Sequence, residues 1–580
     1  MCKLLKPSIE KPWLKFFTEE AREASMPENT IYRQLRECSE GGLDDTALNY
    51  FGKKISYGKL LDEADRAAGA FKAAGIKKGD IVAAATVTIP EMVYALYGLN
   101  KIGAAPLVID PRTSAAGALS FIKQTGTKIF IVIDLYYEAL KDALIEAGVE
   151  KIVVISADTS LPASIRFLKQ FKMPAPKIET SDSVLTWTQF AATGEGVETE
   201  TVEYGENDLA AVTLTGGTTG APKGVMLSND GFNAIAFDFK HCGVSYRRGQ
   251  RFMNIIPMFS SYGIVSSLHM PLTLGLEVVI IPKFDADKVG YYVKKYRPEH
   301  TLLVPAHYEK LMNSKEMSKG FDLSFFRTAG SGGDTMNAGL EAKLNSFLES
   351  RGCRYPLSQG YGMSEVSSAA SCCCNGNFKS LSVGYPLLTT TIGIFEPGTA
   401  NELDYGEEGE ICISGPSIML GYLNNKAETD NVIHRHPDGT LWVHSGDIGH
   451  MDEEGFVYIK GRIKRMITLF NGHKIFPTHI ESVLGRHSLV SSCAVVGVKD
   501  GGHAQGQLTL AVIETNEQSI EKQLQLKNEL YEMCRQELEG PAKPYDIIFT
   551  DAMPHTGMGK IDYLKLADDY NKNNEVTEAV

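Results

Sequence analysis

Short apolar strands alternating with helix-length segments run through the first third of this chain, and that alternation limits the fold more than any other feature. Leu60, Leu61, Ala64, Ala67, Ala68 and Phe71 recur at helical spacing, and Gly75 follows as a stop. The run Ile81–Ala85 predicts a strand; Pro90 then opens a helix that Gly103 closes. Residues 105–109, 129–133 and 152–155 are again strand-like, with a helical segment before each. Strands this short and this apolar need cover on both faces, which predicts a parallel sheet between helical layers. Residues 157–206 carry Pro162, Pro174, Pro176 and a Gly/Glu/Thr-rich tail, and read as a connection rather than new core. The alternation resumes with a strand at 209–214. A smaller pattern appears near the end, with strands at 494–498 and 508–513 beside helices at 478–484 and 519–538. The expected class is α/β: a large N-terminal region of layered α/β subdomains with mostly parallel sheets, plus a small C-terminal α+β lid. The expected domains are residues 1–463 and 464–580.

Composition narrows the partners. A hydrophobic content of 43% and a charged content of 22% describe an ordinary globular protein. The net charge of −13 argues against nucleic acid, whose phosphates select basic surfaces. The opening MCKLLKPSIEKPWLKFF has charges every few residues and no signal-peptide core. No window reaches the ~18 apolar residues that span a bilayer. The ten cysteines show no paired metal spacing, and Cys372, Cys373 and Cys374, being adjacent, read as small buried residues. A reducing cytoplasm is the expected setting.

The segment LAAVTLTGGTTGAPKGVMLS, residues 209–228, carries the most chemistry. A strand runs into Thr215, Gly216, Gly217, Thr218, Thr219 and Gly220, and then into Pro222, Lys223 and Gly224. Glycines admit backbone N–H groups to phosphate oxygens, hydroxyls add short donors, and lysine adds charge. A Walker loop needs Gly-Lys-Ser/Thr opening a helix, whereas Lys223 sits between Pro222 and Gly224. Nor do Gly330, Gly332 and Gly333 complete a dinucleotide fingerprint, because Thr335 occupies its last glycine position.

With these residues the chain resembles the adenylate-forming superfamily of acyl-CoA synthetases, luciferases and peptide-synthetase adenylation domains. That family's phosphate loop reads TSGTTGxPKG, matched here except for Gly216. QGYGMSE at 359–365 is similar to the family's QGYGxTE, and GEEGEI with GPSIMLGYLNNKAET matches another signature. HSGDI at 444–448, GRIK at 461–464 and PHTGMGKI at 554–561 follow in order. Residues 55–60 and 77–82 fit early signatures, so the resemblance covers about residues 30–570.

The resemblance implies an ATP-dependent acid–thiol ligase using Mg²⁺ and coenzyme A. It implies a catalytic set of Lys560, Ser364 and Glu365, with Glu365 also holding Mg²⁺. Lys560 would reach the substrate carboxylate and the α-phosphate. The nucleotide would be held by the phosphate loop with Lys223, by Gly332, Gly333 and Asp334, and by Gly362. Tyr361 would stack on the adenine, Asp447 would accept both ribose hydroxyls, and Arg462 would contact ribose or phosphate. Lys464 stands at the family's hinge, about which the small domain turns between the two half-reactions. Some positions depart from the pattern. Ser260 stands where the family often has an aromatic residue, and Arg465 replaces a frequent acidic one after the hinge. His479 and Ser414 read as structural variation.

Gly216 and the opening KPWLKFF resemble long-chain fatty acid–CoA ligases, so a medium- or long-chain fatty acid is the expected substrate. Aryl acids stay open as substrates, and a separate acyl carrier protein as acceptor. Nothing in the sequence points to oxygen chemistry. The basic amphipathic segment 164–172 reads as a solvated helix with an apolar face on the core; peripheral contact with a membrane is the alternative. Packing of Phe167, Leu168 and Phe171 separates the two.

Overall fold

The computed structural model describes residues 6–172, 176–215, 222–334, 336–500, 502, 506–538, 540–554 and 561–578. It is a mixed α/β protein. Two large sheets carry the N-terminal region, and the runs that the sequence marks at 81–85, 105–109, 129–133, 152–155 and 209–214 are parallel strands of the first. In the first, Leu209–Leu214, Ala105–Ile109, Ile81–Ala85, Ile129–Ile133, Lys151–Ile155 and Val184–Thr186 lie side by side and parallel. In the second, the parallel block runs Ser358–Tyr361, Thr328–Ser331, His300–Leu303, Arg251–Asn254, Glu277–Ile280 and Thr46–Tyr50.

Helices cover these strands. Tyr57–Ala73 and Pro90–Lys101 pack together so closely that a Cβ at Gly98 would sit 2.7 Å from the Ala64 carbonyl oxygen. A larger residue there would separate the helices. The second helix is buried along its length, which is why its sequence lacks a polar stripe.

Residues 157–206 do more than connect. Val184–Thr186 adds an edge strand, and the helix Trp187–Ala192 sends Trp187 and Phe190 into the main core, with Phe190 5.0 Å from the Phe71 ring. A capping box of Thr186 and Gln189 starts that helix. The prolines hid a short element whose stability comes from its cap and two aromatic anchors.

The helix Ala163–Lys172 also differs from the expected packing. Phe167 is 60% and Leu168 63% exposed, so its apolar face is turned to solvent rather than to a core. The Phe171 side chain lies outside the described residues. The helix is tied down through its polar edge, where Lys169 pairs with Asp158. Among the described residues no helix is long and apolar enough to cross a membrane.

A third, antiparallel sheet of Thr391–Phe395, Gly409–Ser414, Leu441–Met451, Ile433–Arg435 and Val457–Arg462 closes the large region. Beyond it, Ser492–Lys499, Gln507–Glu514 and Asp546–Thr550 form a small sheet flanked by Pro477–Leu484 and Ile520–Glu537. Its two apolar clusters draw only on residues after Met466, including Ile480, Leu530 and Ile547 in one and Val496, Val512 and Met553 in the other. This C-terminal part is the small α+β unit that the sequence predicts. Cys372, Cys373 and Cys374 are buried, as their size and polarity suggested.

Candidate active site

The C-terminal ends of parallel strands from both large sheets open onto one cleft of about 3010 Å³, the usual place for ligands in α/β proteins. Leu209–Leu214 delivers Thr215 to it, and Thr328–Ser331 delivers Gly332, Gly333 and Asp334. Ser358–Tyr361 delivers Tyr361 and Gly362, followed by Ser364 and Glu365. Asp447, Arg462 and Lys464 line the cleft from the antiparallel sheet and its exit.

The phosphate loop lies in sequence between two paired strands. Leu209–Leu214 pairs antiparallel with Gly224–Ser228, so no helix follows the glycines as it would in a Walker motif. Gly216, Gly217, Thr218, Thr219 and Gly220 lie outside the described residues. The neck of the hairpin is closed by Thr215 N–H donating to the Lys223 carbonyl (3.0 Å) and Lys223 N–H donating to Thr215 Oγ1 (3.1 Å). The Lys223 ammonium pairs with Glu428 and stands 4.8 Å from the Tyr422 ring centroid. That pairing holds the Glu428 carboxyl below the usual carboxylate range.

Glu365 is buried in a single helical turn, Ser364–Val366, where its Oε1 accepts the Tyr422 hydroxyl at 2.6 Å. Burial, with the Glu365 charge, pushes the Tyr422 phenol well above its ordinary value. Ser364 Oγ accepts from Ser261 Oγ at 3.2 Å. The turn is compact because Gly362 allows it: a Cβ there would lie 1.9 Å from the Ser368 carbonyl oxygen. The glycine after Tyr361 is thus a steric requirement.

Asp447 is 3% exposed, and the sheet fixes its surroundings. It is the register partner of Arg462, whose Nε donates to Oδ1 at 2.7 Å. The Tyr361 hydroxyl donates to Oδ2 at 2.7 Å. Tyr361 therefore anchors to the carboxylate by its hydroxyl while it lines the cleft, a contact that the stacking expectation had not included. An ionised carboxylate offers about four lone-pair sites, so Asp447 retains acceptor capacity for further hydroxyls.

Lys464 lies in the turn Ile463–Arg465 that leaves the antiparallel sheet. Next to it, Arg465 pairs with Glu481 at 2.5 Å and stacks 3.6 Å from the Tyr563 ring centroid. The residue that departs from the family's acidic pattern is therefore satisfied by a carboxylate of the small unit. Lys560 lies outside the described residues; Ile561 and Tyr563, which follow it, line the cleft. Tyr422, Glu428 and Ser261 have no assigned role in the sequence reading. Tyr422 and Glu428 fall within the quoted GPSIMLGYLNNKAET, so the signal was present without the contacts.

The fold and this cleft define an ATP-dependent, adenylate-forming acid–thiol ligase, whose chemistry uses ATP, Mg²⁺ and coenzyme A. The family model for AMP-binding enzymes matches residues 35–423, more than half of the chain, and that for the AMP-binding enzyme C-terminal domain matches residues 479–560: the chain belongs to the AMP-binding enzyme family. It is 27% identical to a long-chain-fatty-acid–CoA ligase of Bacillus subtilis (strain 168) over 579 residues, 98% of this chain and 99% of that protein. It is 29% identical to a probable 4-coumarate–CoA ligase 1 of Dictyostelium discoideum over 476 residues, 81% of this chain and 83% of that one. Among solved structures, the anthranilate CoA ligase AuaEII in complex with anthranoyl-AMP shares the fold with a TM-score of 0.79 at 20% identity, covering 97% of this chain and 100% of that one. ATP-bound MatB from Rhodopseudomonas palustris shares it with a TM-score of 0.78 at 23% identity, over 93% and 99%.

Proposed function

We propose that the protein joins a medium- or long-chain fatty acid to coenzyme A through an acyl-AMP intermediate. The observation that carries the substrate class is the end-to-end match to a long-chain-fatty-acid–CoA ligase, 98% of this chain and 99% of that protein, where the match to the probable 4-coumarate–CoA ligase spans 81% and 83%. Methylene groups of such an acid are worth about 0.8 kcal/mol each when buried.

In the first half-reaction a carboxylate oxygen bonds to the α-phosphorus and the bond to pyrophosphate breaks. In the second, the thiol sulfur bonds to the acyl carbon, AMP leaves, and the thiol proton goes to solvent. Lys223 and the phosphate loop hold the phosphates, Asp447 accepts the ribose hydroxyls, and Arg462 fixes Asp447 from behind. With Oε1 on Tyr422, the Glu365 carboxylate keeps Oε2 for an ion, a donor set that fits Mg²⁺ beside phosphate oxygens. That ion supplies charge neutralisation on the phosphates. Ser364 steadies the turn that presents Glu365, and Gly332, Gly333, Asp334 and Tyr361 frame the base. Lys560 neutralises the two approaching anions. Residues 464–580 turn about Lys464 against residues 1–463 to exchange one half-reaction for the other.

A pyrophosphate-release panel over acetate, octanoate, palmitate, cinnamate and a bile acid tests the substrate. Octanoate or palmitate is expected to exceed acetate in kcat/KM by at least about 10²-fold, from the added methylene burial. Preference for cinnamate would overturn the fatty-acid reading and leave adenylation standing. Titrating coenzyme A against an acyl carrier protein identifies the acceptor.

The exposed Phe167 and Leu168, flanked by Arg166 and Lys169, support peripheral contact with an anionic lipid surface in the cytoplasm. Ile165 and Lys169 of the same helix line the cleft, so an acid partitioned in lipid would enter nearby. In sedimentation with phosphatidylglycerol vesicles, the double substitution Phe167→Ser, Leu168→Ser should cut the bound fraction about 10-fold. Unchanged binding would remove the membrane contact.

A further inference from the structure

Two arginines three residues apart bracket the turn that leaves the antiparallel sheet, and they are tied to different parts of the molecule. Arg462 ends the strand Val457–Arg462 and donates from Nε to Asp447 Oδ1, at 2.7 Å, on the neighbouring strand. Arg465 is held by the small unit instead. Its Nη2 donates to Glu481 Oε1 at 2.5 Å, on the helix Pro477–Leu484, and to the Val495 carbonyl at 3.3 Å, on the strand Ser492–Lys499. Its guanidinium carbon lies 3.6 Å from the ring centroid of Tyr563, which opens the helix Tyr563–Glu578. Glu481 Oε1 also accepts the Val495 N–H at 2.8 Å, so a helix, a strand and the arginine meet at one carboxylate.

What lies between the two arginines is held far less. Among the described residues the Ile463 and Lys464 side chains make no hydrogen bond or ion pair, although the Lys464 charge reaches Glu428. Among the same residues Arg465 hydrogen-bonds only within the small unit, while Asp334 of the large region adds charge at Glu481 and Tyr563. A hydrogen bond crosses the turn, from the Thr478 hydroxyl to the Lys460 carbonyl. An acidic side chain at position 465 would stand against Glu481 as a like charge, so the departure from the family pattern is matched by its partners. A planar guanidinium pairs with a carboxylate and stacks on a ring at once, which a lysine does not do as well.

We propose that Arg465 is a positioning residue that confines rotation to Ile463 and Lys464, by gripping Glu481 and Tyr563 while Arg462 grips Asp447; this rests on the turning of residues 464–580 about Lys464. Hinges absorb their change of φ and ψ where the chain is least held, and here that stretch is two residues long. So short a pivot makes the small unit turn as one body, and each productive orientation keeps its share of the population. A weaker grip adds freedom after Arg465. Both orientations then lose population, while the large region binds ATP and the acid as before.

Removing the arginine would leave Glu481, whose side chain is 14% exposed, without its cation and would endanger the fold of the small unit, so the test acts on the ring. Tyr563→Leu removes the stack and keeps the ion pair; Tyr563→Phe keeps the ring. On full-length protein, limited tryptic digestion should cut the Tyr563→Leu variant about 10-fold faster than the unsubstituted chain at residues 462–465, with unchanged rates at the exposed Lys522 and Arg535. Its kcat should fall about 10-fold in pyrophosphate exchange and in thioester formation from supplied acyl-AMP, with KM for ATP and for the acid unchanged. Tyr563→Phe should match the unsubstituted chain throughout. Faster cutting across the whole small unit, an unchanged kcat in Tyr563→Leu, or a Tyr563→Phe variant equally impaired would overturn the proposal. Lys464→Pro, which fixes φ at the pivot, separates this grip from the turning beneath it: one half-reaction should survive and the other stop. Any other pattern removes the turning itself, whereas that pattern beside a normal Tyr563→Leu variant removes only the role of Arg465.

Discussion

Replacing Lys560 with alanine is expected to abolish carboxylate-dependent ATP–pyrophosphate exchange while sparing thioester formation from supplied acyl-AMP. The two half-reactions make different demands on this cation. Adenylation brings a carboxylate against the α-phosphate, and a positioned ammonium stabilises charge there by about 3–4 kcal/mol, or 10²–10³ in rate. Thiolysis attacks a mixed anhydride whose carboxylate charge is already gone. Ile561 and Tyr563, which follow Lys560 in the chain, line the cleft. Exchange measured with labelled pyrophosphate, beside thioester yield from synthetic acyl-AMP, separates the steps. Equal loss of both would sink the assigned role.

Asp447→Asn should produce the opposite pattern, in which both half-reactions suffer together. The adenosine moiety must be held through adenylation and again while the thiol attacks. Asp447 anchors Tyr361 and Arg462 through its two oxygens, and an amide can serve only one of them as an acceptor. The kcat/KM for ATP is expected to fall about 10²–10³-fold, with a matching loss of affinity for supplied acyl-AMP. Because the Arg462 side chain is half exposed, the stability cost should stay near 1 kcal/mol. ATP kinetics and acyl-AMP binding, with thermal unfolding as a control, decide the matter. A variant impaired in exchange alone would show that Asp447 does not hold the ribose in both steps.

Local patterns made much of the architecture legible. Ile81–Ala85, Ala105–Ile109 and Ile129–Ile133 are strands at the bounds that their apolar runs suggest, because a five-residue parallel strand buried on both faces has little other composition available. The helix Ala163–Lys172 was misjudged because periodicity reveals an apolar face without saying what lies opposite it. Thr215, Tyr361, Glu365 and Asp447, which ordered motifs named, line one cleft. Partners of the site residues went unnamed, because the contacts are long-range: Glu365 meets Tyr422 57 positions away, and Lys223 meets Glu428 205 positions away. The antiparallel sheet from Thr391 to Arg462 was unread for the same reason, since its strands are defined by pairing rather than by periodicity.

Those two long-range pairs bear on what binding at Lys223 displaces. Lys223 already has a carboxylate counter-ion in Glu428, and Glu365 already has a hydroxyl donor in Tyr422, whose ring also faces the lysine. An anion that draws Lys223 away leaves Glu428 without its cation, so a ligand contact at this lysine is an exchange for one already made within the protein.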